Sequence, residues 1–152
     1  MLKNLKSITV LVLVLILGVV CLSAQQWEVV KSAKWQAKFN DVFFLDNSTQ
    51  VGWIVGSHST ILHTKDGGKN WERQPNVPFP SSFDKIELNK IRFISSTMGW
   101  VCGDNGTVLK TIDGGKTWDK LNTGTNTVLV AITFADENNG WAGGDGGYVT
   151  HT

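Results

Sequence analysis

The sequence predicts an all-β fold built from repeated four-stranded units, and three observations carry that prediction. The first is a repeat. Gly52-Trp53-Ile54-Val55-Gly56 returns 47 residues on as Gly99-Trp100-Val101-Cys102-Gly103, and after a further 41 as Gly140-Trp141-Ala142-Gly143-Gly144. The second is a turn segment: Thr64-Lys65-Asp66-Gly67-Gly68-Lys69-Asn70-Trp71 matches Thr111-Ile112-Asp113-Gly114-Gly115-Lys116-Thr117-Trp118 at the same spacing of 47. The third concerns helices. Beyond the N-terminal region, no apolar stripe of helical period lies between capping residues. Four short strands per unit at a period of roughly 40–50 residues are the signature of β-propeller blades.

The elements follow in chain order. Lys3 and Lys6 precede an apolar run, Ile8 to Leu22, broken only by Thr9 and Gly18, and Ser23-Ala24-Gln25-Gln26 follows it. Residues 1–24 therefore read as a secretory signal peptide cleaved near Ala24, with a periplasmic or extracellular destination. The run is shorter than the about 20 residues of a membrane span, so no membrane contact is expected beyond the export signal. An uncleaved anchor and lipid attachment at Cys21 are the alternatives. Without residues 1–24 the chain keeps one cysteine, Cys102. No intrachain disulfide is then available, and packing must hold the fold.

Residues 25–152 are expected to form the N-terminal part of a propeller, with repeats at roughly 39–74, 87–121 and 128–152. Each repeat has an apolar strand ending in phenylalanine: Val42 to Phe44, Ile91 to Phe93 and Ala131 to Phe134. The second repeat spells out the plan. Lys90 to Ile94 is the innermost strand, Gly99 to Cys102 the second, Thr107 to Thr111 the third and Thr117 to Leu121 the outer one. Asp104-Asn105-Gly106 suits a tight hairpin, because Asn and Gly tolerate positive φ. Trp27-Glu28 matches Trp71-Glu72 and Trp118-Asp119. Residues 27–30 are thus expected to be an outer strand that closes the ring and leaves no bare edge, or else an ordinary first strand. About two and a half to three blades are present, whereas propellers close with about 4 to 8. The expectation is an incomplete ring continued by a longer chain, with self-association as the alternative if the chain ends at Thr152.

Composition narrows function. The 152 residues carry 14 basic and 13 acidic groups, 41% hydrophobic residues, seven Trp and one Tyr. Neither sign of charge accumulates, which excludes a polybasic nucleic-acid binder, and the apolar fraction excludes a disordered chain. In the turn segments, the Asp carboxylate can accept bonds from the turn's own N–H groups. The glycine pair supplies positive φ, and the tryptophan returns the chain to the sheet. Thr64, Asp66, Gly67, Gly68 and Trp71, with Thr111, Asp113, Gly114, Gly115 and Trp118, are therefore structural candidates. A calcium loop needs several oxygen ligands, and each segment has a single carboxylate.

Other residues read as scaffold. His63 and His151 share a repeat position with Lys110, which is no metal ligand, so a solvent-facing strand position is expected rather than a metal site. His58 falls in a turn, and Cys102 reads as a small buried residue. Gly143 to Gly147 is a hairpin and not a phosphate loop, because no helix follows it, and no cofactor is expected. Asn47-Ser48-Thr49 and Asn105-Gly106-Thr107 are formal glycosylation acceptors. Trp53, Trp100 and Trp141 recur in every copy and are expected to pack between blades.

The segments Thr64 to Trp71 and Thr111 to Trp118 resemble the Asp-box, or BNR repeat, of sialidase-type propellers. The longer unit, from Gly-Trp through Asp-Gly-Gly-Lys-x-Trp, resembles the photosystem II assembly and stability factor family and its relatives in non-photosynthetic bacteria, over about residues 27 to 152. The resemblance implies a lumenal or periplasmic propeller that binds partner proteins and does not catalyse. It also implies an arginine patch, whereas Arg73 and Arg92 are the only arginines here. The expected function is an exported, non-catalytic, assembly-factor-like module that binds a protein or surface ligand. The alternative is part of a sialidase-like or other glycan-active or glycan-binding propeller. Such a site needs three arginines to grip a carboxylate, plus a tyrosine nucleophile, and Tyr148 lies in a hairpin. The long connection Pro75 to Leu88, with Phe79 and Phe83, is the expected contact loop, since variable loops carry function; the turn Asp46 to Val51 is the second.

Overall fold

The computed structural model describes residue 29 and residues 35–46, 48–75, 77–78 and 86–152. These residues form three antiparallel sheets. The first holds β1 (Phe39–Phe44), β2 (Gly52–Gly56), β3 (Thr60–Thr64) and β4 (Glu72–Arg73). The second holds β5 (Leu88–Phe93), β6 (Gly99–Gly103), β7 (Val108–Thr111) and β8 (Asp119–Leu121). The third holds β9 (Leu129–Phe134), β10 (Gly140–Gly144) and β11 (Val149–His151), with a 3-10 turn at Asp145–Gly147 before β11. Every sheet is a meander in chain order, and β1 packs on β5 as β5 packs on β9. The fold is therefore an arc of propeller blades with the first strand of each blade innermost.

Strand alternation explains how one sheet serves two cores. Val101, Leu109, Phe93 and Trp118 of the second blade face the first, where they meet Trp53, Val55 and Ile61. Trp100, Cys102 and Val108 point the other way, onto Leu129, Ile132 and Ala142 of the third. Cys102 is fully buried, and burial first, with the Asp41 carboxylate second, pushes its thiol up to about 12. It is an inert packing residue at neutral pH.

The hairpins between second and third strands each need two successive left-handed residues. Asn105 and Gly106 (φ 55° and 63°) supply them in the second blade and Gly146 and Gly147 (68° and 74°) in the third. In the first blade His58 and Ser59 hold the same conformation (57° and 51°) without a glycine.

Three expectations need correction. The ladder of the third strand starts at Val108 rather than Thr107, whose amide instead closes the hairpin on the Asp104 carbonyl (3.0 Å). The outer strand starts at Asp119 rather than Thr117, because the Trp118 side chain is buried beneath the preceding turn. His63 is half-buried rather than solvent-facing: it stacks on Trp53 with ring centres 5.0 Å apart. Burial, then Lys65, holds its imidazole below the ordinary histidine value. Lys110, at the same register position, holds its ammonium 5.6 Å from the centre of the Trp100 ring. Of the stretch 27–30 only Val29 lies within the described residues, and Asn47 lies outside them.

Candidate functional site

The two turn segments build one network twice. Thr64 Oγ1 donates to Asp66 Oδ1 (2.9 Å) and accepts from the Gly68 amide (3.0 Å). Asp66 then accepts from the Asn70 amide at Oδ1 (2.8 Å) and from Asn70 Nδ2 at Oδ2 (2.7 Å). In the second blade Thr111 bonds Asp113 and the Gly115 amide, both at 2.9 Å, and Asp113 accepts from the Thr117 amide (2.9 Å) and hydroxyl (2.6 Å). The glycine pairs take φ of 72° and 85°, then 76° and 90°, a conformation costly for any residue with a Cβ.

Both turns are tied to their own blade by an amide: Gly67 to the Gln50 carbonyl (2.9 Å) and Gly114 to Thr97 (2.8 Å). Trp71 meets Phe44 edge-on at 6.0 Å, and Trp118 meets Phe93 at 6.1 Å. Every carboxylate oxygen here already accepts a bond from the turn itself, so the geometry is that of a scaffold. Among the described residues no group of three or more His, Cys, Asp or Glu is placed to hold a metal ion.

This arrangement makes stability acid-sensitive. The Asn70 amide, then its side chain, holds Asp66 below its ordinary value of 3.8. At Asp113 burial acts upward, but the Thr117 hydroxyl and amide outweigh it and the net shift is down. The Asn138 and Asn139 donors lower Asp136 likewise. A carboxylate with a depressed folded pKa stabilises the fold fully above its unfolded value and loses that contribution as pH falls through the folded value. Thermal stability should thus be level from pH 6 to about 4 and fall below it. Asp113→Asn should flatten part of that fall, and an unchanged acid slope in the variant would contradict the assignment.

A second cluster lies between the innermost strands. Asp41 of β1 accepts from Lys90 Nζ (3.1 Å), Arg92 Nη1 (3.0 Å) and the backbone N–H of Ile91 (3.0 Å). Arg92 also donates to the Ile91 carbonyl (2.6 Å) and lies 5.7 Å from the Phe43 ring centre. Asn40 donates to the Leu88 carbonyl (3.1 Å) and Glu87 (2.8 Å), and Asn89 repeats the contact on Leu129 (3.0 Å). The bare edge of an innermost strand is thus capped by side chains of the preceding blade.

The Asp41 side chain is only 12% exposed. Asp41→Ala would leave two cations and an amide without their acceptor, so it should cost about 2 kcal/mol in urea unfolding. A variant as stable as the parent would remove the cluster's structural role. Sequence reasoning missed Asp41, Lys90 and Arg92. The available signal was departure from the repeat: Arg92 stands where the other blades have Phe43 and Thr133, and Asp41 where they have Lys90 and Ala131.

Between the first and second blades lies a cleft of about 550 Å3, lined by His63, Arg73 and Gln74 on one side and Thr97, Asp113 and Lys116 on the other. Pro75, at the start of the long connection, also lines it; Phe79 and Phe83 lie outside the described residues. Arg73 sits on an outer strand and Arg92 on an innermost one, so the two guanidinium groups do not converge. Tyr148 packs against the core between the second and third blades.

A family model described as "Photosynthesis system II assembly factor YCF48" matches residues 19–125 and 78–152. The chain belongs to this family. Over 75 residues it is 40% identical to the "Photosystem II assembly lipoprotein Ycf48" of Trichormus variabilis, a match covering 46% of this chain and 22% of that one. Over 38 residues it is 45% identical to the chloroplastic "Photosystem II stability/assembly factor HCF136" of Oryza sativa subsp. japonica, covering 25% of this chain and 8% of that one.

Among solved structures, "YCF48 bound to D1 peptide" is similar at a TM-score of 0.65 and 26% identity, over 76% of this chain and 37% of that one. "YCF48 from Cyanidioschyzon merolae" shares the fold at a TM-score of 0.67 and 23% identity, over 80% of this chain and 38% of that one. The matches thus span less than two-fifths of these relatives' own lengths.

Proposed function

We propose that this chain is part of an exported, non-catalytic assembly-factor propeller that acts by holding a peptide segment of a partner protein. The observation that carries the reading is the likeness, over 76% of the chain, to the solved structure of YCF48 bound to a D1 peptide. Two features of the geometry support it. The innermost strands carry a cluster of facing charges, with Lys90 and Arg92 both paired to Asp41 and each 32% exposed. A forked, part-exposed guanidinium beside backbone groups suits a peptide carboxylate or carbonyl.

The glycan-hydrolase alternative is less well supported, because Arg73 and Arg92 lie on strands at opposite edges of their blades. Export rests on the basic and apolar N-terminal residues and on the lipoprotein names of relatives such as that of Trichormus variabilis. Mass spectrometry of the exported chain would separate cleavage near Ala24 from a lipid on Cys21.

The function is tested by titrating the chain with the D1 peptide of the solved relative. Binding that weakens about tenfold in Arg92→Gln is the expected result. No binding at millimolar peptide, or turnover of a fluorogenic sialoside by the chain, would overturn the reading.

A further inference from the structure

The cleft between the first and second blades has both of its walls in this chain, and the third blade contributes nothing to it. Its volume of about 550 Å3 falls in the range of small-molecule sites. On the first blade it is bordered by His63 of β3, Lys65 of the Asp-box turn and Arg73 of β4. On the second it is bordered by Ser96 and Thr97, in the turn between β5 and β6, and by Lys116 of the second Asp-box. Cations and hydroxyls thus line it from opposite sides.

The scaffold does not require these groups. Lys65 stands between Thr64 and Asp66, yet the bonds of its turn run through Thr64, Asp66, Gly68 and Asn70. Its counterpart in the second blade is Ile112, so the turn forms without a cation at that place. His63 lies on Trp53 with 21° between the ring planes, which uses its face and leaves both nitrogens at the ring edge. Kept below its ordinary pKa by burial and then by Lys65, the imidazole is neutral at pH 7, with one donor and one acceptor nitrogen. Two carboxylates also border the cleft, Asp113 and the exposed Glu72, the cross-strand partner of His63. Both oxygens of Asp113 already accept bonds from Thr111 and Thr117. Against Lys65, Arg73 and Lys116, the lining is net positive.

We propose that this cleft binds a phosphate or sulfate group, free or carried on a small molecule, between Lys65 and Arg73 of the first blade and Lys116 of the second. Ammonium, guanidinium, hydroxyl and imidazole donors reach such a group from both walls, which suits a tetrahedral oxyanion better than a planar carboxylate. Val51 and Pro75 add apolar surface on which the remainder of a carried ligand can rest. Because the two walls belong to different blades, a bound oxyanion ties them together. It should therefore raise the melting temperature of the chain.

Nuclear magnetic resonance of the 152-residue chain tests this, with inorganic phosphate, inorganic sulfate and glucose 6-phosphate as probes. Sodium chloride at matched ionic strength is the control for screening. The ring protons of His63, assigned by elimination with His58→Asn and His151→Gln, should shift and saturate at millimolar probe. Tighter binding of glucose 6-phosphate than of the inorganic ions would assign the site to a carried oxyanion, and equal binding to the free ion. Lys65→Ala and Lys116→Ala should each weaken binding about fivefold. Both lysines are exposed, so the variants should fold as the parent does. Arg92→Gln should leave binding unchanged, which separates this cleft from the peptide reading of the innermost strands. A His63 signal that moves no further with phosphate or sulfate than with chloride would overturn the proposal. So would lysine variants that bind as the parent does, or a loss in Arg92→Gln as large as theirs, which would place the ion on the innermost strands.

Discussion

Trp53→Ala is expected to lower unfolding free energy by about 4 kcal/mol, a large part of the stability of a small domain. Trp53 is fully buried. Its ring is held on one side by Phe93 and on the other by His63, and its indole N–H meets the Gly114 carbonyl of the neighbouring blade. Alanine removes the apolar area, both stacking contacts and the partner of a part-buried carbonyl, and it opens a gap that Phe93 alone cannot fill. Because the lost contacts join two blades, the variant should also unfold less cooperatively, with a smaller denaturant slope. Ile112→Ala is the control. Ile112 sits within the Asp-box turn but is 65% exposed, so its loss should stay within about 0.5 kcal/mol. Urea unfolding followed by circular dichroism distinguishes the two. A Trp53 variant within 1 kcal/mol of the parent would mean that this joint does not hold the blades together.

The same joint explains why the fold was legible in the sequence. Gly-Trp and Asp-Gly-Gly-x-x-Trp are the two halves of one contact, so both recur at the spacing of the blade and together report its period. What the sequence left hidden does not repeat. Asp41, Lys90 and Arg92 occupy positions that differ in every blade, so an alignment of the copies marks them only as departures from the repeat. Trp141 shows a different limit. It matches Trp53 and Trp100 in sequence, yet it is 46% exposed where they are buried. Burial belongs to the neighbour as much as to the residue. His63 makes the same point in reverse, since what half-buries it is the indole across the strand pair. Phe79 and Phe83 of the expected contact loop lie outside the described residues. Its first described residue, Pro75, borders the cleft between the first and second blades.

Glycine at the end of the second strand is the other place where one methyl group should decide folding. A Cβ on Gly103 would stand 2.2 Å from the Glu87 carbonyl oxygen and 3.1 Å from the Leu88 Cα. Both are backbone atoms, so no side chain can turn aside to make room. That carbonyl also accepts the Asp104 amide at 3.0 Å, which means any retreat breaks the bond that starts the hairpin. The other blades repeat the constraint, with Gly56 1.9 Å from the Lys38 oxygen and Gly144 2.1 Å from that of Val128. Gly103→Ala is therefore expected to cost more than about 3 kcal/mol, the sum of overpacking and a lost buried hydrogen bond. Gly143, one residue before the third of these, should behave in the opposite way. It occupies the strand position held by Val55 and Cys102 in the other blades, its φ is not left-handed, and its nearest Cβ neighbour would be the Tyr148 oxygen at 3.7 Å. Gly143→Ala restricts the unfolded chain without a clash and should gain about 0.5–1 kcal/mol. Thermal melts of the pair would then move in opposite directions. If both moved down together, glycine in these strands would be selected by backbone conformation, and the close approach of the second strand to the first would not be the constraint.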